Sequence, residues 1–262
     1  MLSESTLQLP FGLALFDELV HGPSGQDIVR ALLRWSHFVA GITWIGILYF
    51  FNVINVPLMK SLDAPTKKAV IPELMPRALW YFRWGAVITV LVGLTYYAMF
   101  IVAGDSRTAG VNPWVQLGKW LAIVLVTYAI LYFLYNVPAL TKDGRVLAVV
   151  IALLSLLMIA AVVYVLGNTG GAADRAGNPT YLGNKTISIG AGGGLGILML
   201  LNVWGIIWPA QKRIIAATKE GTPPPADLAR KAFLASRTNA WLSLPMLFFM
   251  GTSHGDWTLF GK

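Results

Sequence analysis

Apolar and polar segments alternate along the chain in a pattern that predicts six membrane-spanning helices. The stretch between Arg34 and Lys60 contains no charged residue and is long enough to cross a bilayer as a helix. Five further apolar stretches follow, separated by segments that hold most of the charged residues and prolines. We expect the spans at residues 34–60, 78–103, 113–138, 146–166, 186–209 and 232–253. The pattern therefore predicts an all-α fold, a polytopic membrane helix bundle of about six transmembrane helices.

The segments outside the spans complete the predicted organisation. We expect an interfacial N-terminal segment over residues 1–27, a six-helix membrane domain over 28–255 and a short tail over 256–262. The longest uncharged run of the first segment is too short to span a bilayer, and no basic region precedes it. We therefore expect no cleaved signal peptide. A polar loop rich in Gly, Asn and Asp occupies residues 167–185, and we expect it to be flexible.

The polar residues of the first span recur at helical spacing. A membrane helix that has polar groups on one side turns that side toward protein or a cofactor, because lipid cannot satisfy them. The spacing predicts that one inward face carries His37, Gly41, Trp44, Leu48, Asn52 and Asn55.

Composition supports the membrane class and excludes several kinds of site. The chain is 56% hydrophobic and only 12% charged, with a mean hydropathy of +0.64, whereas a soluble domain is about 25% charged. The absence of Cys excludes disulfides, thiolate metal sites and a c-type haem attachment motif. The net charge of +8 lies mainly in the loops of one side, so we predict no nucleic-acid partner.

The distribution of cations predicts the orientation. Residues 60–83, 142–145 and 212–237 hold thirteen of the 20 Lys and Arg residues, and all three segments fall on one side of the six predicted spans. Cytoplasmic loops carry the excess of Lys and Arg. We therefore predict that both termini lie outside, in a multi-pass membrane protein.

Two histidines are candidate haem ligands. His37 and His254 both fall near the outer ends of their predicted spans, and imidazoles at matched depth on two helices are able to bind haem b iron from both faces. A His inside a helix bundle is costly unless it is bonded, so it usually marks a site. The alternative is structural: His37 hydrogen-bonds a neighbouring helix and His254 lies at the interface.

A second polar group lies at the cytoplasmic side of the predicted bundle. Its arginines are suited to bind a quinone carbonyl or an anionic substrate. The alternative is that the arginines extend to the interface and the asparagines join helices. The candidate residues for a quinone or a substrate are Arg83, Arg237, Asn52, Asn55 and Asn239. The glycines over 190–196 are typical of close helix packing, and space for a flat cofactor is the alternative.

Four segments resemble the membrane domain of bacterial urate hydroxylases, the urate oxidase N-terminal family. They are Ser36–Gly46 (SHFVAGITWIG), Leu79–Gly85 (LWYFRWG) with Gly93, Asn202–Lys212 (NVWGIIWPAQK) and Ser236–Met250 (SRTNAWLSLPMLFFM) followed by His254. The resemblance covers roughly residues 30–254. It implies a multi-pass inner-membrane protein that hydroxylates urate and passes electrons to a cytochrome c.

In that family the cytochrome c commonly follows as a carboxy-terminal domain. This sequence contains no Cys-x-x-Cys-His motif, so we expect an external cytochrome c as the electron acceptor. Whether the chain is itself an enzyme stays open. A membrane redox protein is one hypothesis, and a non-catalytic accessory subunit of a larger respiratory or photosynthetic complex is the other. No span carries a central acidic residue that would couple transport to protons or sodium, which disfavours a transporter.

Overall fold

The computed structural model describes residues 24–169, 181–254 and 258–260, and the secondary structure of these residues is entirely helical. This confirms the predicted all-α class. The helices are α1 (Gly25–Ser61), α2 (Ala64–Thr108), α3 (Pro113–Leu134), α4 (Pro138–Lys142), α5 (Gly144–Gly167), α6 (Asn184–Glu220) and α7 (Ala226–Thr252). The predicted N-terminal segment and the polar loop lie mostly outside the described residues, as does most of the tail.

Five of the helices are long and apolar enough to cross a membrane: α1, α2, α3, α5 and α6. The predicted sixth span corresponds to α7, which has 27 residues but a more polar composition. Its polar residues Ser236, Asn239 and Ser243 hydrogen-bond to α1 or α6 rather than facing lipid. Internal bonding of this kind allows a polar helix to belong to a membrane bundle.

The start of α1 lies beside the end of α2, and the start of α6 lies beside the end of α7. The Arg30 guanidinium near the start of α1 lies 4.9 Å from the centre of the Phe100 ring near the end of α2. The amide of Asn184, at the start of α6, donates to the carbonyl of Thr252 at the end of α7. The basic connections lie at the opposite end, where Lys231 on α7 donates to Asn136 after α3.

Two helices extend well beyond their predicted spans. We expected the second span to begin at residue 78, and this was wrong, because α2 begins at Ala64. Asp63 caps its first turn by accepting a hydrogen bond from the Thr66 amide, and Pro65 occupies a first-turn position where no amide donor is needed. Likewise α6 continues to Glu220, so that only residues 221–225 separate it from α7.

Helix α6 lies at the centre of the bundle. In this helix 67% of the most apolar window is buried, against 33% or less in the other four spans. A Cβ on Gly192 would lie 3.1 Å from the carbonyl oxygen of Met246 on α7, and one on Gly194 would lie 3.1 Å from Val124 on α3. The glycines therefore serve close packing against several helices, as small residues do in membrane bundles.

Candidate functional site

The inward face predicted for α1 is confirmed. Trp44, Leu48, Asn52 and Asn55 are buried, and His37 and Gly41 are half-buried against α2. The opposite face is exposed at Trp35, Phe38, Val39 and Ile42. Helix α1 therefore turns its polar residues toward protein and its apolar residues outward.

His37 lies in a notch on the surface of α2. Its Nδ1 is 2.8 Å from the carbonyl oxygen of Thr89, and this contact assigns the ring proton to Nδ1. A Cβ on Gly93 would lie 2.7 Å from Nδ1 and 2.8 Å from Cε1, so only glycine leaves room for the ring. No partner of Nε2 occurs in the described part of the chain. The imidazole is thus fixed by its Nδ1 edge, and its Nε2 lone pair is available.

His254 follows the end of α7 and is exposed. Its Nδ1 lies 2.8 Å from the Ser253 hydroxyl and 3.3 Å from the Met250 carbonyl oxygen, so this ring too is engaged through Nδ1. The two histidines share no hydrogen-bond partner among the described residues, since His37 bonds to α2 and His254 bonds to Ser253 and Met250. Their pairing across one haem stays a prediction. His21, the third histidine of the sequence, lies outside the described residues.

Asn52 and Asn55 belong to a π-helical turn of α1 over Phe50–Asn55. The Asn52 amide donates to the Leu48 carbonyl at 2.9 Å and to the Ser236 hydroxyl at 3.0 Å, which links α1 to α7. The Asn55 amide lies 4.0 Å from the sulfur of Met75, and its Oδ1 is buried with no partner among the described residues. Asn55 therefore retains an unused acceptor.

Asn239 connects α7 to the central helix. Its amide donates to the Met199 carbonyl at 2.9 Å, and its Oδ1 accepts from the amide of Asn202 at 2.9 Å. Both asparagines are fully buried. Here the structural alternative fits the geometry, because both polar groups of Asn239 are used to hold α6 and α7 together.

Arg83 lies against two tryptophans of α6. Its Cζ is 3.8 Å from the centre of the Trp208 ring and 5.9 Å from that of Trp204, and the rings of Trp84 and Trp204 meet edge to face at 5.7 Å. Neither Arg83 Nε nor Trp204 Nε1 has a hydrogen-bond partner in the described part, although both atoms are buried. Two neighbouring donors of this kind match a ligand that supplies acceptor oxygens.

Arg237 has a different environment. It is half-buried, and its Cζ lies 5.3 Å from the centre of the Phe233 ring one turn earlier on α7. Its neighbour Ser236 bonds Asn52, which brings that part of α7 to α1. The contacts thus join Asn52 to α7 and Asn239 to α6, but they do not bring Arg237 and Arg83 to a common partner among the described residues.

Sequence reasoning missed the tryptophans that surround Arg83 and the residues that hold His37. Trp204 and Trp208 are four residues apart in one segment of the resemblance, and both lie against Arg83, within or next to the π-helical turn Val203–Ile207. Gly85, Thr89 and Gly93 recur every four residues, a signal of a close helix contact that could have identified the α1–α2 interface.

Comparison with known proteins gives one finding about the family. The family model described as urate oxidase N-terminal matches residues 62–261. The match includes Arg83, Arg237, Asn239 and His254, whereas α1 and its His37 precede it. No curated protein and no solved structure matches the chain.

Proposed function

Because the chain belongs to the urate oxidase N-terminal family, we propose that it is a membrane redox protein that hydroxylates urate or a related planar anion. In this proposal His37 binds the iron of haem b, with His254 as the second ligand, and electrons leave to an external cytochrome c. The protein resides in the bacterial inner membrane. The observation that carries the proposal is the Nε2 of His37, which has no partner among the described residues, on a ring whose Nδ1 is held by Thr89.

The donor chemistry of both histidines fits haem iron. A histidine that binds a metal through Nε2 usually donates its Nδ1 proton to a carbonyl or carboxylate, which fixes the ring and raises its basicity. The Thr89 carbonyl supports this role for His37, and the Met250 carbonyl supports it for His254. When bound, haem supplies a one-electron carrier.

The surroundings of Arg83 support binding of an anion with a flat ring. The guanidinium stacks on Trp208, while Arg83 Nε and Trp204 Nε1 both lack acceptors among the described residues. We propose that urate oxygens accept from these two donors, and that a quinone is the competing occupant. Asn55 adds an acceptor elsewhere on the inward face that has no partner among the described residues, and Arg237 is a candidate second cation. Asn52 and Asn239 hold the helices around the site.

The reaction balances with water as the oxygen source. Hydroxylation of one urate by one water releases two electrons and two protons, so two molecules of cytochrome c are reduced. The test is urate-dependent reduction of added cytochrome c by the purified protein, followed by absorbance. Arg83→Gln should raise KM by about ten- to a hundred-fold, the value of hydrogen bonds to a charged group. Arg34→Gln, a charge change on the exposed surface of α1, is the matched control.

No urate-dependent reduction by a haem-loaded preparation would contradict the catalytic proposal. It would favour the accessory-subunit hypothesis, in which the chain co-purifies in fixed stoichiometry with a larger respiratory or photosynthetic complex.

A further inference from the structure

A cleft of about 150 Å³ lies at the basic end of the bundle, far along the helices from His37. It opens between the end of α3, the middle of α6 and the first turns of α7. Its lining includes Tyr132, Asn136, Gly205, Pro209, Arg213 and Lys231. None of the residues that line it is acidic, and none belongs to the candidate redox site.

The polar rim of this cleft is ordered by hydrogen bonds. The Lys231 ammonium donates to Asn136 Oδ1 at 2.6 Å, and the Asn136 amide donates to the Tyr132 carbonyl at 2.8 Å. The amide therefore holds the lysine at the rim. A single neutral acceptor leaves the lysine with unused donor capacity and an uncompensated charge.

Arg213 supplies a second cation at the cleft. In the described part of the chain neither Arg213 nor Lys231 forms an ion pair, even though Asp227 lies in the first turn of α7 nearby in sequence. Arg230 provides a contrast, because its guanidinium donates to the carbonyls of Thr141 and Lys142. Arg213 and Lys231 are thus available to bind a ligand, whereas Arg230 is used in hydrogen bonds within the fold.

Part of the cleft lining and the adjacent surface are apolar. Ile206, Pro209 and Leu228 are among the lining residues, and the adjacent surface of α3 exposes 45% of Tyr132 and 67% of Phe133. Two cations above an apolar surface at the end of membrane helices form the arrangement that recognises anionic lipid head groups. We propose that this cleft binds a phosphate group, carried by an anionic phospholipid or free in solution.

The test measures phosphate-dependent stabilisation of the full chain. The unfolding midpoint is recorded in nanodiscs of phosphatidylcholine, in the same nanodiscs with added phosphatidylglycerol, and in phosphatidylcholine with inorganic phosphate. We expect stabilisation in at least one of the last two conditions. A shift with phosphatidylglycerol alone identifies the lipid as the source, and a shift with inorganic phosphate identifies the free anion.

Substitutions at the cleft test whether the phosphate-dependent stabilisation arises there. Arg213→Gln with Lys231→Gln should weaken binding about 30-fold, since each basic residue near an anionic head group contributes about five-fold. The matched control is Lys142→Gln with Lys219→Gln, which removes the same charge from exposed positions at the same end. Arg213→Gln alone should weaken binding about five-fold. Because Arg213 is exposed, this single variant keeps the test valid if the double variant misfolds. No stabilisation in either condition, or equal losses in the cleft and control variants, would overturn the proposal.

Discussion

The Nδ1 of His37 lies 2.8 Å from the carbonyl oxygen of Thr89, so that the imidazole of α1 is bonded directly to the backbone of α2. The absence of a side chain at Gly93 allows this contact, since a Cβ there would lie within 2.8 Å of two ring atoms. The same contact joins two helices and leaves Nε2 as the candidate metal ligand, since no partner for it occurs among the described residues. His37 thus has a packing role whether or not a metal is bound.

Adding a methyl group at Gly93 should displace the His37 ring. We expect Gly93→Ala to lower the free energy of unfolding by about 1–3 kcal/mol, the usual cost of overpacking. If the ring is the cause, most of this cost should disappear when the same change is made in a His37→Ala background. The measurement is unfolding of the four proteins in a detergent titration.

Gly46→Ala is the matched control for this cycle. A Cβ on Gly46 would meet nothing within 4 Å, so the substitution should not destabilise α1. If Gly93→Ala lowers the free energy of unfolding equally with and without the imidazole, the space at Gly93 is not required by the His37 ring.

Two glycines of α6 should respond in opposite ways to substitution by alanine. Gly192→Ala places a Cβ 3.1 Å from the Met246 carbonyl oxygen, so α7 must shift, and we expect a loss of about 1–3 kcal/mol. Gly196→Ala meets nothing within 4 Å and should be neutral or stabilise the helix by about 1 kcal/mol. Thermal unfolding of both variants tests the central position of α6, and the reverse order of stability would contradict it.

The amide network of Asn239 should contribute measurably to packing. Asn239→Ala removes the bonds to Met199 and Asn202, and buried membrane hydrogen bonds average about 0.6 kcal/mol each. With the unsatisfied Asn202 amide left behind, we expect a loss of about 1–2 kcal/mol in the free energy of unfolding. Thr43→Val, which removes a hydroxyl bonded only within its own helix, is the control and should cost less. A loss no larger than that of the control would show that the network is dispensable.

The cap of α2 predicts a local pH dependence. Hydrogen bonds from Thr66 to the Asp63 carboxylate hold the pKa of Asp63 below its ordinary value. Because the folded pKa is depressed, the capping contribution is complete above the unfolded pKa of about 3.9 and is lost as the pH falls through the lower, folded value. Hydrogen exchange at the Thr66 amide should therefore accelerate at acidic pH relative to an Asp63→Asn reference. Identical acid dependence in the two proteins would contradict this role.

The sequence predicted the elements of the fold better than their ends. The inward face of α1 was predictable because the spacing of its polar residues is a local property. The start of α2 was not, because Pro72 and Pro76 are ordinarily helix breakers and the contacts of this segment with the end of α6 are non-local.

The candidate site was predicted only in part, because its contacts too are non-local. Arg83 stood out as a charge inside a span, and the structure surrounds it with Trp204 and Trp208. Neither tryptophan was distinguishable from an interfacial aromatic without knowing that α6 packs on α2. The hydrogen bonds of Asn239 could not be predicted from spacing, because the partner of a side-chain amide can be identified only when the facing helix is known.

Haem ligation by His37 is tested most directly by the visible absorption spectrum of the protein purified from a haem-supplied host. We expect a Soret band in the wild type that is lost in His37→Ala, altered in His254→Ala and unchanged in His21→Ala. No Soret band in the wild type, or one that survives removal of both His37 and His254, would contradict the account.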